Sequence, residues 1–148
     1  MKDTTKLFQG KTIAVSGGFD PVHVGHLDMF EHAKSLVGQA GTLMVFVNSD
    51  DFLVRKKGKP FIPLEERMKI ISAFRAVDKV VAVIDTDQTV CETLQKYKPD
   101  IFANGGDRTR DNIPEDAVCQ KCNITMIFNV GGDKTQSSSE LLKKFSSE

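Results

Sequence analysis

The sequence predicts an α/β fold, a single Rossmann-like, doubly wound domain around a five-stranded, mainly parallel sheet. Three observations predict it. Strand-like and helix-like segments alternate along the whole chain. The run Thr42 to Val47 is continuously apolar and rich in β-branched residues, as in a parallel sheet covered on both faces. No repeat, low-complexity tract or linker interrupts the 148 residues, a length that supports one core. Residues 1–10 read as an N-terminal extension and 11–148 as the domain.

Lys11 to Ser16 is apolar enough for a buried strand. Gly25 to Val37 reads as a helix because Leu27, Phe30, Ala33 and Val37 form one stripe, with Gly38 and Gly41 at its stop. Thr42 to Val47 is the second strand. Residues 48–58 read as a loop. Pro63 to Ala76 is predicted helical, with proline at its start, Glu65 and Glu66 in the first turn, and Met68, Ile71 and Phe74 at helical spacing. Lys79 to Ile84 is the third strand, and Val90 to Tyr97 a helix ended by Pro99. Ile101 to Ala103 is a short fourth strand, Pro114 to Lys121 a helix, Ile124 to Val130 the fifth strand, and Ser137 to Phe145 the closing helix.

Composition narrows the function. Twenty Lys and Arg balance twenty Asp and Glu, which argues against a broad nucleic-acid surface but not against a local basic pocket. No stretch approaches the roughly 20 apolar residues of a membrane span. The first eleven residues hold no apolar run suited to a signal peptide. With an odd count of three cysteines, this fits a cytoplasmic protein.

Ligands of such sheets bind beyond the carboxyl ends of the strands, and four chemistry-bearing stretches fall there. The first is Val15-Ser16-Gly17-Gly18-Phe19-Asp20-Pro21-Val22-His23-Val24-Gly25-His26. Strand, glycine turn and helix together present backbone N–H groups to a phosphate. His23 and His26 share one helix face, where two imidazoles suit negative charge. Phe19 reads as packing and Asp20 as a candidate helix cap. A zinc reading of His-x-x-His lacks further ligands nearby, so no metal site is expected. His32, later on the helix, reads as surface. The second stretch, Arg55-Lys56-Lys57-Gly58-Lys59, can neutralise charge on phosphoryl oxygens, with Lys56 the leading candidate. Third, Gly105-Gly106-Asp107-Arg108 follows a strand, and Asp107 can meet hydroxyls or Mg²⁺. Fourth, Gly131 and Gly132 lead to Ser137, Ser138 and Ser139 before a helix, which reads as a second phosphate cradle. Cys119 and Cys122 are a lone C-x-x-C without a second pair, short of a four-ligand site.

The long pattern G-x-F-D-x-x-H-x-G-H resembles the signature of the cytidylyltransferase-like nucleotidyltransferases. Pro63-Leu64-Glu65-Glu66-Arg67, Val77-Asp78-Lys79-Val80, Lys98-Pro99-Asp100, Gly105-Gly106-Asp107 and the serine cluster follow in family order. The likeness is nearest to the adenylyltransferase domain of bacterial ADP-heptose synthesis. Glycerol-3-phosphate cytidylyltransferases come next, and archaeal FAD synthetases share the frame. Two departures lie on the cytidylyl side: Arg108 stands where that branch has an aromatic residue, and the serine cluster lacks its arginine. Asn104 stands where the heptose branch has lysine. The resemblance implies transfer of a nucleoside monophosphate, AMP from ATP, to a phosphorylated acceptor such as heptose-1-phosphate, with Mg²⁺ on the triphosphate. It implies catalytic roles for His23, His26 and Lys56. It implies nucleotide contacts from Gly17, Gly18, Phe19, His23, His26, Lys56, Gly106, Asp107, Ser137, Ser138 and Ser139. Asp20, Arg67 and Arg108 would face the acceptor. It also implies a homodimer. The non-enzymatic alternative is a nucleotide-binding module that has lost turnover.

Overall fold

The computed structural model describes residues 8–105 and 113–131. Five strands form one sheet in the order β3-β2-β1-β4-β5, and every pairing is parallel. They are β1 (Thr12–Gly17), β2 (Thr42–Val47), β3 (Lys79–Ala82), β4 (Ile101–Ala103) and β5 (Thr125–Ile127). The register sets Thr12 against Thr42, Ile13 against Ile101 and Met44 against Lys79. The helices are α1 (Val24–Val37), α2 (Asp50–Lys57), α3 (Leu64–Ser72), α4 (Cys91–Tyr97) and α5 (Asp116–Lys121).

The period of two along each strand divides the core. Ile13, Val15, Leu43, Val45, Val47, Ile101 and Ala103 face one side, where Phe30, Ala33, Val37 and Ile71 of α1 and α3 cover them. Ala14, Met44, Phe46 and Phe102 face the other, under Leu94 and Cys119 of α4 and α5. This is the doubly wound α/β architecture expected from the alternation. Both faces being covered is why the strands read as continuous apolar runs.

Four elements differ from the sequence reading. Residues 50–57 are a helix, not a loop. Ser49 caps it by accepting from the Phe52 N–H at 3.1 Å, Asp50 and Asp51 occupy its first turn, and Gly58 stops it at φ 97°. Helix α3 ends at Ser72, where residues 73–77 turn back to deliver Asp78 to the start of β2. Strands β3 and β5 are shorter than their apolar runs. The expected helix Ser137 to Phe145 lies outside the described residues.

Asp78 ties three elements together. Its Oδ2 accepts from the Leu43 N–H at 2.8 Å and from Lys34 Nζ at 2.7 Å, while Lys34 also donates to the Gly41 carbonyl. Partial burial raises its pKa, but the Lys34 hydrogen bond, the Leu43 amide and the Lys34 charge together outweigh it, leaving the carboxyl below its usual value. A depressed folded pKa stabilises above the unfolded value and loses that contribution as pH falls through the folded one. The pair is partly exposed, so the effect is modest. In Asp78→Asn, the loss of melting temperature relative to wild type should therefore be largest above roughly pH 4 and shrink below it. Melting curves from pH 2 to 7 read this directly.

Candidate active site

Strand order reverses around β1, whose neighbours β2 and β4 follow it in opposite directions across the sheet. The crevice beyond such a reversal is where doubly wound sheets bind ligands. The chain leaves β1 through Gly17 and Gly18, where a Cβ would come within 3.0 Å of the Phe19 ring and of Leu53 Cδ2 respectively. These glycines therefore admit close packing from the protein side. Phe19, at φ 52° and buried, lies edge-on to His26 with ring centroids 4.8 Å apart and also packs on Phe30. Its placement matches the packing reading.

The two histidines begin α1 together. His23 is the N-cap, and its Nδ1 accepts from the Gly25 N–H at 3.1 Å. His26, at the third helical position, accepts on Nδ1 from the His23 N–H at 3.1 Å. This is a capping box built from imidazoles instead of Ser and Glu. The rings stack at 3.9 Å and 28°. Because both Nδ1 atoms accept, the neutral rings carry their proton on Nε2, which makes Nε2–H the donor position for a ligand oxygen. Among the described residues, no group of three or more His, Cys, Asp or Glu is placed to hold a metal ion.

Two residues expected to face the acceptor are buried and bonded within the fold. Arg67 is 1% exposed, and its guanidinium is bonded within the fold. Its Nε donates to the Ile62 carbonyl at 2.8 Å, its Nη1 to Gly18 and Asn48 carbonyls at 2.8 Å each, and its Nη2 to Asp50 Oδ1 at 2.7 Å. The guanidinium thus pins the turn after β1 to the end of β2 and the start of α2. The available signal was its place in the buried stripe Leu64, Arg67, Met68 and Ile71. Asp20 does not cap α1. It is 1% exposed, and its carboxylate accepts from the N–H groups of Phe61 and Ile62 at 2.6 Å each. The Asp20–Pro21 peptide is cis.

The basic run divides. Arg55 Nη1 donates to the Thr86 carbonyl, so this cation holds the segment after β3, whereas Lys56 is exposed on α2. His32 is exposed, as expected, but it also accepts on Nδ1 from the Gly131 N–H at 2.8 Å, and Gly131, at φ 90°, rests on Met29 of α1. That seats the start of the fourth stretch against α1. Asn104 ends β4 buried, bonded to the Ile127 carbonyl, and a Cβ on Gly105 would meet open space. Gly106, Asp107, Arg108, Ser137, Ser138 and Ser139 lie outside the described residues. The thiols of Cys91, Cys119 and Cys122 are free. Cys119 sits in the second core, where burial first, then the charges of Glu115 and Asp116, push it up to about 12. An inert structural thiol follows.

A cavity of about 220 Å³ opens beside the β1 turn. Ser16 and Asn48 at the ends of β1 and β2, Phe52 of α2, Thr89 before α4, and Glu115 before α5 are in its wall. Sequence reasoning missed Thr89 and Glu115. The signal for the first was the polar run Asp85-Thr86-Asp87-Gln88-Thr89 after a strand. Glu115 read only as part of a helix.

A family model described as cytidylyltransferase-like matches residues 14–139. An FAD synthase of Methanopyrus kandleri is 34% identical over 102 residues, covering 69% of this chain and 67% of that protein. The bifunctional protein HldE of Alcanivorax borkumensis is 40% identical over 108 residues, covering 71% of this chain but only 22% of its own length. A lipopolysaccharide core biosynthesis protein from Thermoplasma volcanium superimposes with a TM-score of 0.65 at 24% identity, over 80% of this chain and 94% of that one, which shows a shared fold. No helix among the described residues is long and apolar enough to cross a membrane.

Proposed function

The chain belongs to the cytidylyltransferase-like family, and from that premise we propose that it is an adenylyltransferase acting on a small phosphorylated acceptor. The carrying observation is the stacked His23–His26 pair, fixed by its own capping box with both Nδ1 atoms accepting, so that Nε2 is the donor nitrogen of each neutral ring. In the proposed reaction an oxygen of the acceptor's phosphate attacks the α-phosphorus of ATP in line. The new O–P bond forms as the bond to the β-phosphate oxygen breaks, and pyrophosphate leaves with the electron pair. Such a step needs positioning and charge stabilisation more than proton transfer. His23 and His26 supply donors to the non-bridging oxygens as charge accumulates there. Lys56 supplies a cation. The segments holding Gly106, Asp107, Arg108 and Ser137 to Ser139 complete the nucleotide and acceptor contacts. Asp20 and Arg67 act through the backbone they hold. Mg²⁺, when bound, neutralises triphosphate oxygens.

The FAD synthase relative supports FMN as an alternative acceptor, and the HldE relative supports a sugar phosphate. The test is pyrophosphate release with Mg²⁺, crossing ATP, CTP, GTP and UTP with heptose-1-phosphate, glycerol-3-phosphate and FMN. Release with ATP and one acceptor is the expected result. CTP preference overturns the adenylyl assignment. ATP binding without release on any acceptor overturns catalysis in favour of a binding module. Light scattering on the same sample reads the homodimer that belongs to this proposal.

A further inference from the structure

The cavity beside the β1 turn carries two buried oxygens with no hydrogen-bond partner among the described residues. Glu115 is 4% exposed, and its Oε2 accepts from the Val90 N–H at 3.0 Å while Oε1 has no donor. Asn48 is 7% exposed, and its Oδ1 likewise has none. Both line the cavity, from different sides of the fold. Thr89, also in the wall, donates its hydroxyl hydrogen to Asp87 Oδ1 at 2.7 Å and accepts from the Cys91 N–H at 3.3 Å, which leaves it one lone pair. Buried polar atoms are almost always paired, and those left open mark a place where a partner is supplied from outside.

We infer that this cavity is a donor-reading subsite, with Glu115 and Asn48 as its specificity-determining residues, and that the acceptor enters it with hydroxyl groups. The inference deepens the transferase reading and rests on it: the acceptor is a small polyhydroxylated phosphate, not a flavin. The Glu115 carboxylate in the wall repels phosphate, so the phosphate end must lie outside the cavity. Ser16 in the wall directly precedes Gly17 and the turn to His23, which sets that end toward the histidines. A flavin ring offers one N–H donor and so pairs at most one of the two oxygens, and the ribityl hydroxyls of FMN, which lie between ring and phosphate, cannot enter with the phosphate outside unless the ring enters too. The cavity is also below the about 300–1,000 Å³ of sites that enclose larger ligands. A polyol carries a donor on each carbon and can satisfy oxygens on separate elements at once. A single ammonium can reach Glu115, but a quaternary one has no hydrogen to give.

Saturation-transfer NMR and calorimetry decide this on the full chain, using heptose-1-phosphate, glycerol-3-phosphate, phosphoethanolamine and FMN with wild type, Glu115→Gln and Asn48→Ala. Glu115→Gln keeps an oxygen for Val90 and turns the open oxygen into a donor. Asn48→Ala keeps the strand end, because the Asn48 N–H is held by the Gly17 carbonyl and its carbonyl by Arg67. The expected result is saturation on the carbinol protons of the polyol phosphates, with their affinity weakened about tenfold or more in each variant and ATP affinity unchanged. Tighter wild-type binding of FMN or phosphoethanolamine, absence of polyol phosphate binding, or unchanged affinity in both variants overturns the subsite. Polyol binding that needs Glu115 but yields no pyrophosphate overturns the transferase reading alone. Pyrophosphate release with FMN alone does the reverse.

Discussion

In His23→Asn, kcat/KM for pyrophosphate release is expected to fall about 10²–10³-fold, the usual cost of one donor to developing oxyanion charge. The choice of asparagine matters. His23 has two duties, since its Nδ1 caps α1 by accepting from Gly25 and its Nε2 is the proposed phosphate donor. Alanine would lose both and confound helix fraying with catalysis. Asparagine is among the strongest N-caps, so stability should stay within about 1 kcal/mol of wild type while the imidazole is gone. His26→Gln applies the same logic at the third helical position, where Gln is a natural capping-box partner. Its side-chain oxygen can still accept from the His23 N–H, as Nδ1 does now. Because the rings stack at 3.9 Å and act on one charge, the double variant should lose less than the product of the two single losses. Steady-state kinetics beside thermal unfolding reads all three. Near wild-type turnover in both single variants would reduce the pair to a helix cap.

The fold was legible where one physical cause dominates. Parallel strands buried on both faces must be apolar throughout, and α1 must carry a stripe, so periodicity found them. Helix α2 escaped because Leu53 is its only buried apolar side chain, at 2% exposure, and its charges resemble a loop. Only its Ser49 cap and Gly58 stop betrayed it. The histidine pair was legible because strand, glycine turn and paired imidazoles are adjacent in sequence. The burial of Arg67 was not legible because charge argues for the surface, and only its phase within α3 argues for burial. Glu115 and Asn48 meet across 67 residues of sequence, a distance no local pattern spans.

Arg67→Ala is expected to cost about 3–5 kcal/mol, the range for removing a buried charge and stranding its partners. For a chain of this size that lowers the melting temperature by roughly 2–4 °C per kcal/mol. The ion pair itself is the lesser part, because the Asp50 side chain is 43% exposed and keeps water as a partner. The larger part is three main-chain carbonyls, of Gly18, Asn48 and Ile62, that lose their donor together in a buried site. Lysine tests the geometry. Its single ammonium cannot reproduce the planar fork that serves four oxygens on separate segments, so Arg67→Lys should recover only a minor share of the loss. These segments carry the turn that leads to His23, so the folded fraction of Arg67→Lys should also lose kcat more than ATP affinity. A phosphate-binding arginine would behave oppositely. Its removal would spare or raise the melting temperature of the unliganded chain and raise KM at constant kcat, and that pattern would return Arg67 to the substrate.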